Sequence, residues 1–575
     1  MNIGTAIVFL ALGCQVAAAP AAAEITLQEI ATHHAGIFAQ AAAEIPAFCP
    51  QSRRIFVVNA ESGRVDVLDV DDAGQLRPAG FIDAARDVPG TMKDANSVSV
   101  SRGTLAVAIA AVPATAAGAV ALYDTGTLRL RAVVPAGSLP DMVTFSPDGR
   151  WILVANEGEP NDDCTVDPEG TVTIVDLENG IESPRVRTVT FRDWNPGGPR
   201  EDEVPALRDR GLRHFGRVRL HGESGGSRPA TFAEDVEPEW IEVDPASRVA
   251  YVCLQEANAV AEIDIATATV TRVIPLGFKD HGLDRNAFDA SDRDGGIEVH
   301  SRPGVYGVFQ PDTIRLVVRD GRRFLVTANE GDSRVRPASS EMIPGVKEGA
   351  IFTDEAGLDE WPLEGSRFAD VASAKDLGRL KLVRDLVDRH LDRDGRPTRL
   401  FAFGGRSLSL FDLESGELVF DSGSDFERLT AERHPEHFNA SNDDVARDKR
   451  SRSKGPEPEG LAIGEVNGRT YAFVGLERTG GIMTYDITEP AAARFVAYAT
   501  NRRFDVPMTL PDGTPNPAAG DSGVEGLAFV AAGQSPTGRP LVIAANETSG
   551  STTVWEIQPA TGVDADAPVE SRDRR

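Results

Sequence analysis

The feature that most limits how this chain can fold is a unit that recurs along it: an apolar run, a turn or short polar gap, and a second apolar run ending in Asp or Glu. It reads RIFVVN and VDVLDV at 54–59 and 65–70, LAVAIAA and AVALYD at 105–111 and 119–124, and WILVAN and TVTIVD at 151–156 and 171–176. It returns as VAYVCLQ and AVAEID at 249–255 and 259–264, TYAFVG and IMTYD at 470–475 and 482–486, and LVIAAN and TTVWE at 541–546 and 552–556. Short apolar runs between turn residues are buried strands. The turn Ser146-Pro147-Asp148-Gly149 shows the punctuation: proline pre-sets φ and glycine accepts a positive one. A further strand precedes most units, as at 142–145, 240–243, 460–463 and 526–529, and some carry one downstream, as at 272–276. Four short antiparallel strands repeated in this way predict an all-β chain, a seven- or eight-bladed β-propeller with long inter-strand insertions. ITLQEIAT at 25–32 is expected to supply the missing strand of the last blade and so remove a free edge.

The blade count turns on the middle of the chain. RFLVTAN at 323–329 opens a fifth unit with no clear second half, and LFAFGG with SLSLFD at 400–405 and 407–412 reads as a sixth. Residues 186–234 and 335–377 read as long insertions, and 376–390 as a strand followed by a charged helix.

The formal charge of −29 over 575 residues excludes a nucleic-acid partner, because phosphate binding needs a basic face. Residues 1–23 read as a signal peptide cleaved near Ala23, which implies export to the periplasm or beyond. No later segment reaches the roughly 18–20 apolar residues of a membrane span. Residues 24–560 form the propeller domain and 561–575 a polar tail. Cys49, Cys164 and Cys253 remain after cleavage, enough for one disulfide and a free thiol, with the pairing open.

In a blade the innermost strand and its neighbour are antiparallel, so the start of one and the end of the other share a face. Inner strands start at Asp94-Ala95-Asn96, Asp141, Glu237-Pro238-Glu239, Asp312, Glu457-Pro458-Glu459 and Val524-Glu525. Second strands end at Asn156-Glu157, Gln255-Glu256, Asn329-Glu330, Glu477 and Asn546-Glu547. These carboxylates and amides are expected at one mouth of the central channel. Crowded like charges either raise each other's pKa or bind a cation, and oxygen ligands favour calcium. The candidate ligands are Asn156, Glu157, Glu239, Glu256, Asn329, Glu330, Glu457, Glu459, Glu477, Glu525, Asn546 and Glu547. A second acidic loop carries Asp289, Asp292 and Asp294 before Gly295; it lacks full calcium-loop spacing and fits a surface turn better. A third, Asn439–Asp448, runs into a basic stretch and reads as a salt-bridged loop.

Gly520-Asp521-Ser522-Gly523 resembles a serine-protease motif but has no histidine in a matching context, and it reads as a blade start. No P-loop or H-E-x-x-H occurs, and His281, beside Asp280, is the histidine to watch.

ANEGEPNDD with VDPEGTVTIVDL, then LGFKDH, TANEGDSR, FGGRSLSLFD, KGPEPEGLAIG, GLERTGGIMTYDI and AANETSGSTTVWEI occur in order. Together they resemble the choice-of-anchor I family, which includes the mesenchyme-specific cell-surface glycoproteins of biomineralising animals. The resemblance covers 24–559 and implies an exported propeller. Its animal members imply calcium mineral as a partner; bacterial relatives labelled alkaline phosphatase-like carry no catalytic assignment to transfer. Two functions follow as expectations: a calcium-binding propeller with a binding or structural role, or a metal-dependent phosphoesterase on the same face. The second would need a phosphate clamp, for which Arg334, Arg406 and Arg478 are candidates because each follows a strand end. A protein-interaction scaffold is a third, and fold alone does not choose among them.

Overall fold

The computed structural model describes residues 25–220, 226–336 and 352–560. The expected signal peptide and tail lie outside these residues. Seven four-stranded antiparallel sheets dominate. The first is Pro46–Cys49, Arg54–Asn59, Arg64–Val70 and Leu76–Ile82, in sequence order from the centre outward. The innermost strands of the other six begin at Met92, Pro140, Pro238, Ile314, Pro458 and Val524. Each innermost strand touches the next, and the last touches the first, so the sheets close into a ring around a channel.

Strand alternation builds this ring. In Arg54–Asn59, Phe56 and Val58 pack toward the second blade with Leu105, Val107 and Ile109. Ile55 and Val57 face the other way, against Leu541 and Ile543 of the last blade. A strand buried on both faces must be apolar throughout, which is why Trp151–Asn156 is fully buried while the perimeter strand Arg185–Thr190 is largely exposed. Four innermost strands start on proline: Pro46, Pro140, Pro238 and Pro458. Proline lacks an N–H to donate and suits the first position of an edge strand, here the edge facing the channel.

Ile25–His34 pairs antiparallel with Ser551–Pro559, from Ile25 opposite Pro559 to His34 opposite Ser551, completing the last blade as its sequence suggests.

The fifth and sixth sequence units are one blade. Arg322–Asn329 pairs with Ser407–Asp412, and Leu418–Asp421 lies outside it. Leu400–Phe403 belongs instead to an inserted five-stranded sheet, where it runs parallel to Val305–Val308. A buried parallel strand carries the same continuous apolar run as a blade strand, so the two look alike in sequence. The insertion leaves and returns between the second and third strands of its blade. At its root Gly331 and Gly404 cross in direct backbone contact, both with positive φ, and a Cβ on either would collide with the other segment. Of the expected long loops, 186–234 holds the strand Arg185–Thr190, a short helix Val204–Asp209 and a small hairpin. Leu382–Val383 and the helix Arg384–Asp388 match the strand and helix expected there.

Among the described residues Cys49, Cys164 and Cys253 are buried free thiols, which settles the pairing that the sequence leaves open. The Cys253 thiol donates to the Pro311 carbonyl at 2.9 Å.

Candidate metal centre at the channel mouth

The start of each innermost strand is irregular in a repeated way. Pairing slips between Pro140 and Met142, Pro238 and Ile241, Pro458 and Leu461, and Val524 and Gly526. Asp141, Glu239, Glu459 and Glu525 occupy these bulges. A β-bulge leaves a residue unpaired and re-aims its side chain. The second blade slips twice, around Asp94 and Asn96. The ends of the second strands lie opposite: Asn156 pairs with Pro140 and Asn546 with Val524, so Glu157 and Glu547 emerge on the same face.

A cavity of about 380 Å3 at this face is lined by Glu44, Asp94, Asp141, Glu157, Glu239 and Asp312, with Gln255 and Glu525. Deeper in the channel a second space of about 330 Å3 holds Arg315 beside Glu242 at 3.5 Å. At the mouth, carboxylate oxygens of Asp312, Glu330 and Glu459 all lie within 4.8 Å of one another. Calcium–oxygen distances are about 2.3–2.6 Å, so ligands on one ion stand at most roughly 5 Å apart, and this trio fits one coordination sphere. Among the described residues, Oε2 of Glu459 is buried with no hydrogen-bond partner, as is Oε2 of Glu477. Such orphaned oxygens are costly unless a proton or a cation compensates them.

The electrostatics carry the same strain. Burial, then the neighbouring acids, pushes Glu44 and Asp312 up to about 8 and Asp141 up to about 7. Glu256 is pushed to about 7 by burial, partly offset by Arg334. Glu157, Glu239, Glu459 and Glu525 stand well above the usual carboxylate range, by burial first and then by one another's charge. Glu330 is raised by burial and restrained by Lys454, whose ammonium lies 2.5 Å from Oε1, while Gln255 donates to Oε2 at 3.0 Å.

Beside the trio, Glu330, Glu457 and Glu477 also approach within 4.8 Å, but basic side chains already fill that space. Glu457 receives Lys454 at 3.2 Å and Arg478 at 3.0 Å, with Arg450 on its other oxygen. These charges hold Glu457 down at about 2 despite full burial. Glu457 is thus the centre of an ion-pair cluster. Arg478 also pairs with Glu477 at 2.6 Å.

The asparagines behave differently from the acids next to them. Asn156 donates to Thr171 and Thr173 and accepts from the Gly137 N–H. Asn329 donates to Ser407 and Ser409 and accepts from Thr327. Asn546 donates to Ser551, leaving its Oδ1 buried and unpartnered among the described residues. Strand alternation turns each asparagine into its blade, where it ties the second strand to the third, while the following glutamate faces the mouth.

Of the three clamp candidates Arg334 and Arg406 are buried and Arg478 is half-buried, and all three are engaged. Arg334 holds Asp235 at 2.5 Å and Glu237 at 2.8 Å, and lies 4.0 Å from Glu256. Arg406 holds Glu427 at 2.6 Å and donates to the carbonyls of Asp289, Ser451 and Ser453. In the second acidic loop, Asp289 and Asp294 approach Asp448 of the third loop within 4.8 Å, while Asp292 turns away to Arg379 at 2.7 Å. Ser522 is buried with its hydroxyl on the Asn442 carbonyl. His281 is buried against Phe288, its Nδ1 on the Asn286 carbonyl at 2.7 Å.

Several mouth groups lie outside the sequence-derived ligand set, Asp94 and Asp141 among them, and three more are instructive. Glu44 stands two residues before Pro46, where an innermost strand begins, a signal available in the sequence. Asp312 stands at an innermost-strand start but lacks the Glu-Pro-Glu pattern. Lys454 arrives on a loop remote from Glu330, and no local pattern announces it.

A closed ring of four-stranded sheets around a channel defines a β-propeller, here with an acidic mouth. The profile of the Choice-of-anchor I domain matches residues 44–490, and the chain belongs to this family. It is 30% identical over 290 residues to the Mesenchyme-specific cell surface glycoprotein of Strongylocentrotus purpuratus, covering 46% of this chain and 37% of that protein. It is 29% identical over 171 residues to Gigasin-3a of Magallana gigas, covering 29% of this chain and 60% of that protein. The chain therefore spans less than two thirds of each of these relatives. Among solved structures it resembles Kuenenia stuttgartiensis hydrazine synthase, with a TM-score of 0.41 and 13% identity over 92% of this chain and 98% of that one. It also resembles the Cps50 (Swd1) β-propeller domain of Myceliophteria thermophila, with a TM-score of 0.41 and 10% identity over 93% of this chain and 100% of that one.

Proposed function

We propose that this chain is an exported propeller that binds a divalent cation, calcium by its ligand chemistry, at the channel mouth, in a binding or structural role. The observation that carries this reading is the approach of Asp312, Glu330 and Glu459 within 4.8 Å, with Glu459 Oε2 buried and unpartnered. An all-oxygen, carboxylate-rich set suits a hard cation of loose geometry. Export is supported by the relative named as a cell surface glycoprotein and by the apolar, alanine-rich 1–23 segment. The hydrolytic alternative is less well supported, because Arg334, Arg406 and Arg478 already hold carboxylates. Elemental analysis of the purified chain, followed by calorimetric titration of the chelated protein with calcium, tests the reading. Stoichiometric calcium and saturable binding support it; no bound metal and no heat of binding overturn it. Hydrolysis of a generic phosphomonoester with calcium, manganese or iron would reinstate the phosphoesterase.

A further inference from the structure

Away from the mouth, where the inserted sheet meets the fourth blade's perimeter, lies a concavity of about 540 Å3. Its wall combines Arg208, from the helix Val204–Asp209, with Arg389, His390 and Arg399 of the insertion and the ring of Phe278. This concentration of positive charge is unusual in a chain with 88 acidic and 59 basic residues. Among the described residues, Arg208 and Arg399 have no carboxylate within ion-pair distance, whereas the arginines at the mouth are paired. Asp209 on the wall and Asp385, 3.8 Å from Arg389, offset part of the charge. Among the described residues, Arg389 Nε is buried with no acceptor. The site is also held in shape. Arg399 lies over the Tyr306 ring at 5.5 Å, and His390 packs on Phe401 at 4.9 Å with Nδ1 on the Leu386 carbonyl.

We propose that this concavity binds a small oxyanion ligand, a sulfate, phosphate or carboxylate group, through Arg208, Arg389 and Arg399. Guanidinium groups present paired donors that match the oxygens of such anions. The volume falls within the range of about 300–1,000 Å3 typical of small-molecule sites, and Phe278 offers an apolar face to an organic remainder. The site needs no cation at the mouth, so it stands apart from the calcium reading.

The test is calorimetric titration of the full chain, kept in chelator so that bound metal cannot recruit anions, with inorganic sulfate, inorganic phosphate and glucuronate. Saturable binding is expected, weakened at least tenfold in the double variant Arg208→Gln, Arg399→Gln and unchanged in Arg77→Gln, whose side chain is 77% exposed. Sulfate or phosphate binding identifies a free inorganic ion as sufficient, and binding of glucuronate alone identifies an organic acid. Modification of the unmutated chain by phenylglyoxal, read by mass spectrometry, should show Arg208 and Arg399 protected by the anion that binds. No saturable binding of any of the three probes, equal binding by the double variant, or no protection overturns the proposal.

Discussion

The ammonium of Lys454 lies 2.5 Å from Oε1 of Glu330, although 124 residues separate them in the chain. It also reaches Glu457 at 3.2 Å, so one lysine charge stands at the border between the acidic trio and the ion-paired cluster. In the proposed cation site it competes with the metal for Glu330.

Replacing this lysine separates the two roles. Lys454→Met removes the competitor, and calcium affinity should rise several-fold in calorimetric titration. In chelator the variant should melt lower, because removing one partner of a buried ion pair costs about 3–5 kcal/mol. Calcium should recover most of the loss. Equal or weaker calcium affinity would argue that Glu330 is not a ligand.

The trio itself predicts the opposite pattern. Glu459→Gln and Glu330→Gln should each weaken calcium binding tenfold or more, about 1.4 kcal/mol at the least. Glu459→Gln should leave the metal-free melting temperature equal or higher, since it relieves crowding by Glu477 and Glu525. Glu330→Gln should lower it, through loss of the Lys454 pair. Unchanged affinity in both variants would move the cation elsewhere.

The raised carboxyls give a pH signature. Glu44 and Asp312 stand at about 8, Asp141 and Glu256 at about 7, against unfolded values near 4. The folded chain therefore holds more protons than the unfolded chain between these limits. The stabilisation is complete below about pH 4 and is lost as pH rises through about 8, so these groups make the metal-free protein less stable toward alkaline pH. Melting curves in chelator should fall between pH 6 and pH 8.5, and calcium should flatten the decline. Calcium binding near pH 7 should release protons, detectable as a buffer-dependent heat. A metal-free stability that rises over this window would contradict the buried acidic ring.

Arg406 tests whether a strand-end arginine is structural. Its guanidinium joins Glu427 to three loop carbonyls. Arg406→Met should destabilise the chain by about 3–5 kcal/mol and leave calcium affinity within twofold. Its failure to affect melting would reopen Arg406 for a ligand.

The blades are legible because their strands are short, apolar and bounded by turns, and because the repeat supplies the same reading many times. The count was less legible, since the insertion divides the pair Arg322–Asn329 and Ser407–Asp412 and adds Leu400–Phe403 with the same apolar signature. At the mouth, Glu459 and Glu525 could be read from strand starts. Asn156 and Asn329 could not be separated from their glutamate neighbours without following the strand's two-residue alternation to Thr173 and Ser409. Lys454 depends on a loop path that no local rule supplies.

The pairing of Ile25–His34 with Ser551–Pro559 also sets an order of events. The first described strand to leave the ribosome acquires its only sheet partner when the last is made. Until then the seventh blade is incomplete, and so is the part of the mouth that Glu525 and Glu547 supply. The acidic ring around the mouth is therefore a late product of synthesis, closed when the two ends of the propeller meet.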